Sequence, residues 1–284
     1  MSKNFAVIGG DLRIVKLAKM LTEDENKIYT YGLEKAEELK NNENIFVCNK
    51  LKEALNEKVE VVISSIPFSK NGININAPFS KEEILIKDLI DNLNGKLLIA
   101  GSISQEIYNM EKDKYIKIID IMKREELAVL NTIATAEGTI ELAIANTNKI
   151  LHGSKVLILG FGRVGKILAR KMDGLSVNVT CAAKKVEDLA WIKSYGYKTI
   201  DIDNIGENLS KYDIIINTVP NMILTKEKIK FVKKDCLLID LASKPGGIDM
   251  EEASKRNLKA IWALALPRKS SSSYICRNNK RYYV

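Results

Sequence analysis

KVLILGFGRVGK, residues 155–166, is the stretch from which the rest of the fold follows. Lys155–Leu159 is a short run of Val, Leu and Ile that reads as a buried strand. From Lys166, KILARKM returns apolar residues at helical spacing. Between them stands a full GxGxxG, Gly160 to Gly165. In a strand–turn–helix context the three glycines have separate duties. Gly160 permits the tight turn, Gly162 lets the backbone approach a pyrophosphate, and Gly165 lets the helix pack close to the strand. Free N–H groups and the helix dipole favour an anion there, so Arg163 and Val164 are expected beside the diphosphate of a dinucleotide.

The strand that follows, SVNVTCAAKK (176–185), reaches the position where a preference for NAD would place Asp or Glu. It ends instead on Lys184 and Lys185, which suit a 2′-phosphate, so NADP is expected over NAD. Two later strands finish in loops at the same sheet edge: Asn217-Thr218-Val219-Pro220 and Ala242-Ser243-Lys244-Pro245-Gly246-Gly247. Ligands of open α/β sheets bind at that edge. Thr218, Val219, Pro220, Ala242 and Ser243 are therefore candidate cofactor contacts, and Lys244 is a candidate anchor for an anionic substrate.

The N-terminal half repeats the grammar. FAVIGG (5–10) is a strand entering a glycine turn, and VISSIP ends at Pro67 as IINTVP ends at Pro220. The turn-to-Pro separations are 58 residues from Gly9 and 60 from Gly160. Gly9-Gly10-Asp11 lacks the third glycine and reads as a substrate-side turn. The halves predict two Rossmann-like doubly wound parallel-sheet domains joined by a long helix. The boundaries fall at 1–121, 122–151 for the helix, and 152–267, with a basic tail over 268–284. On the bridging helix Asn131, Thr135 and Gly138 share one face, flanked by Thr132 and Glu137, and Arg124 and Glu125 stand at its start. That polar stripe is expected to face a cleft.

Composition excludes more than it proposes. Apolar residues at 46% and charged residues at 28%, with 16 Gly and 5 Pro, exclude a disordered or low-complexity chain. The formal charge is +8, but Arg268, Lys269, Arg277, Lys280 and Arg281 supply five of it, leaving +3 for the first 267 residues. No nucleic-acid partner is expected from that balance. No uninterrupted apolar run spans a bilayer, and the four cysteines form no CxxC, so a cytoplasmic chain with free thiols is expected and no membrane partner. With one histidine, His152, a Ser-His-Asp triad and a His-rich metal site lack their parts. No metal is expected.

Taken in order, VIGGDLR, SSIPFS with INAPFS, DIMKREELAVLNTIATAEGTIELAI, LHGSKVLILGFGRVGK, VTCAAKK, IINTVP and DLASKPGG resemble the dipicolinate synthase A-subunit family, from about residue 5 to Pro267. The resemblance implies NADP-dependent oxidation of dihydrodipicolinate to dipicolinate in the mother cell of a spore-former, together with a second, flavoprotein-like B-subunit. A small dicarboxylate substrate then calls for anchors, and Arg124, Lys244, Ser64, Ser65, Thr132 and Thr135 are the candidates, with Asn131 beside them. Glu125 or Glu137 stands as proton acceptor in the absence of a catalytic His. A homodimer is a further assembly to consider. After Pro267 this chain departs from the family. A one-base shift in a permitted coding of Arg268–Tyr274 restores Gly-Lys-Val-Ala-Pro-Val-Ile, so a frameshift is expected there, against a genuine basic tail. Two other readings stand beside the synthase. One is a 2-hydroxyacid-dehydrogenase-like oxidoreductase, disfavoured by the position of His152; the other is a non-catalytic NADP-sensing module.

Overall fold

The computed structural model describes residues 2–112 and 116–263. The expectations for the segment after Pro267, frameshift and basic tail alike, lie outside the described residues. The chain divides into two compact units, the first running to Leu130 and the second beginning at Asn131.

The first unit is built in the order β1 (Asn4–Ile8), α1 (Leu12–Thr22), β2 (Lys27–Tyr31), β3 (Ile45–Val47), α2 (Leu51–Ala54), β4 (Val61–Ser64), α3 (Ile86–Asn92), β5 (Leu97–Ala100), α4 (Gln105–Lys112) and β6 (Lys117–Asp120). Then comes α5 (Glu125–Asn146), which is shared between the units. The second unit continues with β7 (Lys155–Leu159), α6 (Arg163–Asp173), β8 (Asn178–Ala183), α7 (Val186–Ser194), β9 (Lys198–Asp201), β10 (Ile214–Asn217), α8 (Lys226–Ile229), β11 (Leu237–Asp240), α9 (Met250–Lys255) and β12 (Lys259–Trp262).

Both sheets are parallel and have the same order: β3-β2-β1-β4-β5-β6 and β9-β8-β7-β10-β11-β12. The order reverses beside β1 and beside β7, the switch point at which such sheets open a crevice for ligands. Parallel sheets carry helices on both faces, so their strands are apolar on both. Successive residues accordingly feed opposite layers. Phe5 and Val7 join one core and Ala6 and Ile8 the other, as Leu157 and Leu159 alternate with Val156 and Ile158. Burying a Leu, Ile or Phe side chain contributes roughly 2 kcal/mol, and dozens are buried here.

The bridging helix is shorter than the sequence reading of 122–151. At its start Asp120 caps a single 3-10 turn, Ile121–Lys123, by accepting the Met122 amide at 2.9 Å. It ends at Asn146, where Asn-Thr-Asn gives the chain a polar turn and Thr147 Oγ1 accepts the Lys149 amide. Among the described helices α5 is the one apolar and long enough to cross a membrane, which a search for an unbroken apolar run does not register. Its buried residues instead complete protein cores, Leu127 in the first unit and Ala136, Leu142 and Ala143 in the second.

Cys48, Cys181 and Cys236 are buried free thiols. Burial pushes Cys181 and Cys236 up to about 12, so both stay protonated and unreactive near neutrality.

Candidate functional site

The glycine turn after β7 is shaped by contacts only glycine tolerates. Gly160 has φ +98°, and a side chain there would bring its Cβ to 2.5 Å from Thr218 Oγ1 and 2.7 Å from Val219 Cγ2. A Cβ on Gly165 would collide with the Gly160 carbonyl oxygen. Gly162 is different: it caps α6 without a side chain, and nothing stands within 4 Å of where its Cβ would be. The open space lies over the first amides of an eleven-residue helix, where a diphosphate is favoured. Thr218 fixes the turn from the neighbouring strand end. Its amide and its Oγ1 both donate to the Leu159 carbonyl at 2.9 Å.

A pocket of about 790 Å³ opens here, entirely within the second unit. It is lined by residues 160–164, 183–185 and 218–223, together with Thr132, Asp188, Ile202 and Asp203. The residues present suit a nicotinamide dinucleotide: a bare helix N-terminus, apolar walls at Val219 and Ile223, and cations at one end. Arg163 and Val164 stand where the motif places them, and so do Lys184, Lys185, Thr218, Val219 and Pro220.

The strand end departs from the sequence reading in one respect. No carboxylate stands at the end of β8, but one arrives from the strand beside it. β9 pairs with β8 so that Asp201 lies opposite Ala183. The 3-10 turn after β9 then carries Asp203 to 3.4 Å from Lys184 Nζ. Asp201 itself accepts the Asp203 amide at 2.9 Å and so orders that turn. The signal for Asp203 lay in the pairing register, not in the spacing from the glycines. Asp188, on the first turn of α7, is a second acid at the pocket.

The loops after β10 and β11 are held by a carboxylate that sequence reasoning passed over. Asp240 is 1% exposed. It accepts from Asn217 Nδ2 at 2.8 Å and from the amides of Ala242, Gly247 and Ile248 at 3.0, 2.7 and 3.1 Å. Asn217 Nδ2 also donates to Val219 O at 2.9 Å, which ties the pocket wall to this hub. The polar pair at strand ends amid apolar runs, Asn217 in IIIN and Asp240 in LLID, was the available signal. Ala242 and Ser243 do not line the pocket. Ala242 uses its amide on Asp240 and its carbonyl on Trp262 Nε1, so its backbone braces the loop. Lys244 is exposed on the same loop.

The remaining candidates divide. Thr132 is 8% exposed and lines the pocket. Thr135 Oγ1 donates back to the Asn131 carbonyl at 3.2 Å, and Asn131 Oδ1 is buried without a hydrogen-bond partner among the described residues. Arg124 and Glu125 are both exposed at the start of α5, with Arg124 Nε donating to Glu126 at 2.8 Å.

Two expected anchors and one expected proton acceptor are committed elsewhere. A serine hydroxyl has one proton to give. Ser64 gives it to Ile8 O at 2.7 Å and Ser65 to Phe68 O at 3.0 Å, both at 0% exposure. The Ser64 hydroxyl ties the end of β4 to the end of β1, and the Ser65 hydroxyl closes the loop that follows β4. Glu137 is paired with Lys171 at 2.8 Å, in the last turn of α6. That is roughly 12 Å along the helix from Arg163, so Glu137 is not brought to the glycine turn. Among the described residues no cluster of three or more potential metal ligands occurs.

Known proteins are similar to this chain over most of its length. A family model for the N-terminal domain of the dipicolinate synthase A-subunit matches residues 4–122. A model for the NAD-binding domain of D-isomer-specific 2-hydroxyacid dehydrogenases matches residues 132–249. The dipicolinate synthase A-subunit of Bacillus subtilis is 33% identical over 264 residues, 92% of this chain and 88% of that protein. Its crystal structure superposes with a TM-score of 0.86 at 29% identity, covering 99% of this chain and 96% of that one. The corresponding structure from Bacillus halodurans gives 0.86 at 28% identity with the same coverage. An L-alanine dehydrogenase, at 13% identity and a TM-score of 0.62 over 98% of this chain and 88% of that one, shares the fold alone.

Proposed function

The chain belongs to the dipicolinate synthase A-subunit family, and from that premise we propose that it oxidises dihydrodipicolinate to dipicolinate with NADP. Its family and its NAD-binding domain make it a nicotinamide-dependent oxidoreductase. The observation that carries the cofactor reading is the bare N-terminus of α6 under an open Gly162, with Lys184 and Lys185 at the same pocket.

Bound there, the nicotinamide supplies a two-electron hydride acceptor. The protein's own task is modest, because loss of one hydride and one proton from a dihydropyridine leaves an aromatic ring. Orientation of that ring is the main requirement. In the second unit Lys244, exposed on the loop after β11, is a cation for a substrate carboxylate. In the first unit Arg124 and Glu125, exposed at the start of α5, are a candidate cation and a candidate proton acceptor. The partner is the flavoprotein-like second component of the synthase, its B-subunit, and the setting is the mother-cell cytoplasm during sporulation.

The test is dipicolinate formation by the purified full chain, given NADP and freshly generated dihydrodipicolinate, with and without the flavoprotein-like partner. Ultraviolet absorbance of the aromatic product, matched by NADPH formation, is the expected result. Tight NADP binding without product in either mixture would overturn the synthase reading in favour of a nucleotide sensor.

A further inference from the structure

A second cavity, of about 460 Å³, lies at the N-terminal end of β7, β8 and β9. Lys155 opens β7 there and Gly160 follows its far end, so about 16 Å of strand separates this cavity from the glycine turn. Three exposed lysines line it: Lys155, Lys198 and Lys211. No carboxylate is among its lining residues.

Three acids are adjacent in sequence to lining residues: Asp201, Glu207 and Asp213. Asp201 accepts the Asp203 amide, Glu207 is exposed outside the lining, and Asp213 is already committed. It takes Lys149 and Lys233 at 2.7 Å each and the Lys155 amide at 2.8 Å. Lys211 Nζ is held at 2.6 Å by the neutral Asn208, which orients the ammonium without cancelling its charge. Thr199 has a buried hydroxyl oxygen with no hydrogen-bond partner among the described residues. Tyr212 is 5% exposed, and burial pushes its phenol up, so it keeps its proton. Cations clustered without acids repel one another until an anion joins them, and a buried hydroxyl without a partner is costly.

From this set of cations and hydroxyls we infer that the cavity is a second binding site, for a small anion carrying at least two negatively charged oxygens. Phosphate esters and small polycarboxylates share that chemistry. The site is independent of the cofactor pocket and of the proposed reaction.

The test uses the isotopically labelled full chain, followed by two-dimensional NMR at constant ionic strength. Inorganic phosphate and pyridine-2,6-dicarboxylate are titrated separately, with chloride as the control. Saturable shifts of the Thr180, Lys198 and Thr199 amides are expected, while the Gly160–Gly165 amides stay in place. Response to phosphate assigns a phosphate ligand, and response to the dicarboxylate assigns a carboxylate one. The double variant Lys198→Gln/Lys211→Gln, altered only at exposed side chains, is expected to lose at least tenfold in affinity. Thr199→Val, which keeps every lysine, gives a second and smaller loss. Shifts that chloride reproduces, that fail to saturate, or that survive in the double variant would overturn the site.

Discussion

Two sheets of identical strand order end their first strands in glycine turns that do opposite things. In the first unit Gly10 donates its amide to Asn76 O at 3.0 Å. The same segment crowds Gly9, whose Cβ would meet Ala77 and Ile75 at 3.0 Å. The first helix there is capped by Asp11, which accepts the Arg13 amide and pairs with the Arg13 guanidinium at 2.7 Å. The helix N-terminus therefore carries its own anion. In the second unit the cap is Gly162, with no side chain and open space above it. Topology offers a nucleotide site twice; local chemistry keeps one.

The strongest test of the comparison concerns what the units share. Asp120 accepts the amides of Ser102, Ile103 and Met122, much as Asp240 gathers Asn217 and three amides. Asp240→Ala leaves four donors short of a buried charged acceptor and is expected to cost about 4 kcal/mol. Chemical denaturation of the full chain would show it as early loss of the second unit. Asp120→Ala should do the same to the first unit.

Next in size is the transplant of one turn onto the other. Gly162→Asp copies the Asp11 cap at a position with φ −76°, where any residue fits. Cofactor affinity should fall about 100-fold, or ~2.7 kcal/mol, in a fluorescence titration. Thermal stability should hold or rise, because Asp is a good N-cap.

The units also differ in how their first strands are tied down. Asn26 does it neutrally in the first, accepting the Lys3 amide at 2.8 Å and donating to Leu21 O at 2.9 Å. In the second, Asp213 does it as an ion. Burial alone would raise its carboxyl, but Lys149, Lys233 and the Lys155 amide outweigh burial and hold it well below the usual range. A depressed folded-state pKa gives stability that is present above the unfolded value of about 3.9 and is lost as pH falls through the folded one. Asp213→Asn should therefore cost about 2 kcal/mol between pH 5 and 8. Melting curves of variant and parent should begin to converge as pH falls below about 4 and meet only toward the folded-state value. Asn26→Ala should show a gap that does not close with acid.

The smallest effect concerns Asp203. Removing its charge with Asp203→Asn frees Lys184 and should shift preference toward NADP over NAD by about tenfold, or ~1.4 kcal/mol. An unchanged ratio of dissociation constants would take Asp203 out of cofactor choice.

Much of this fold is legible in one dimension because its signals are local. Gly160 and Gly165 announce their turn through contacts within a few residues of each other and the next strand end. The alternation of Val156 and Ile158 with Leu157 and Leu159 announces a strand covered on both faces. Ser64 and Glu137 mislead for a shared reason. A polar residue near a predicted site looks free in sequence, but its partner is fixed by distant chain: Ile8 O for Ser64, and Lys171 for Glu137. Asp240 escapes notice because Asn217, at the end of β10, becomes its neighbour only when the second sheet forms, and because the other three donors are backbone amides of its own loop, which a sequence does not mark.

The sequence by itself determined the class of fold and the family. The first depends on periodicity and on glycine turns at strand ends, the second on an ordered set of motifs that resembles the family from about residue 5 to Pro267. Tertiary structure alone decided that Asp203 meets Lys184, that Asp240 braces the pocket wall, and that the Gly9–Gly10 turn is filled. Each of these depends on charged or hydrogen-bonding groups far apart in the chain, and such groups acquire their partners only when strand register sets the distance between them.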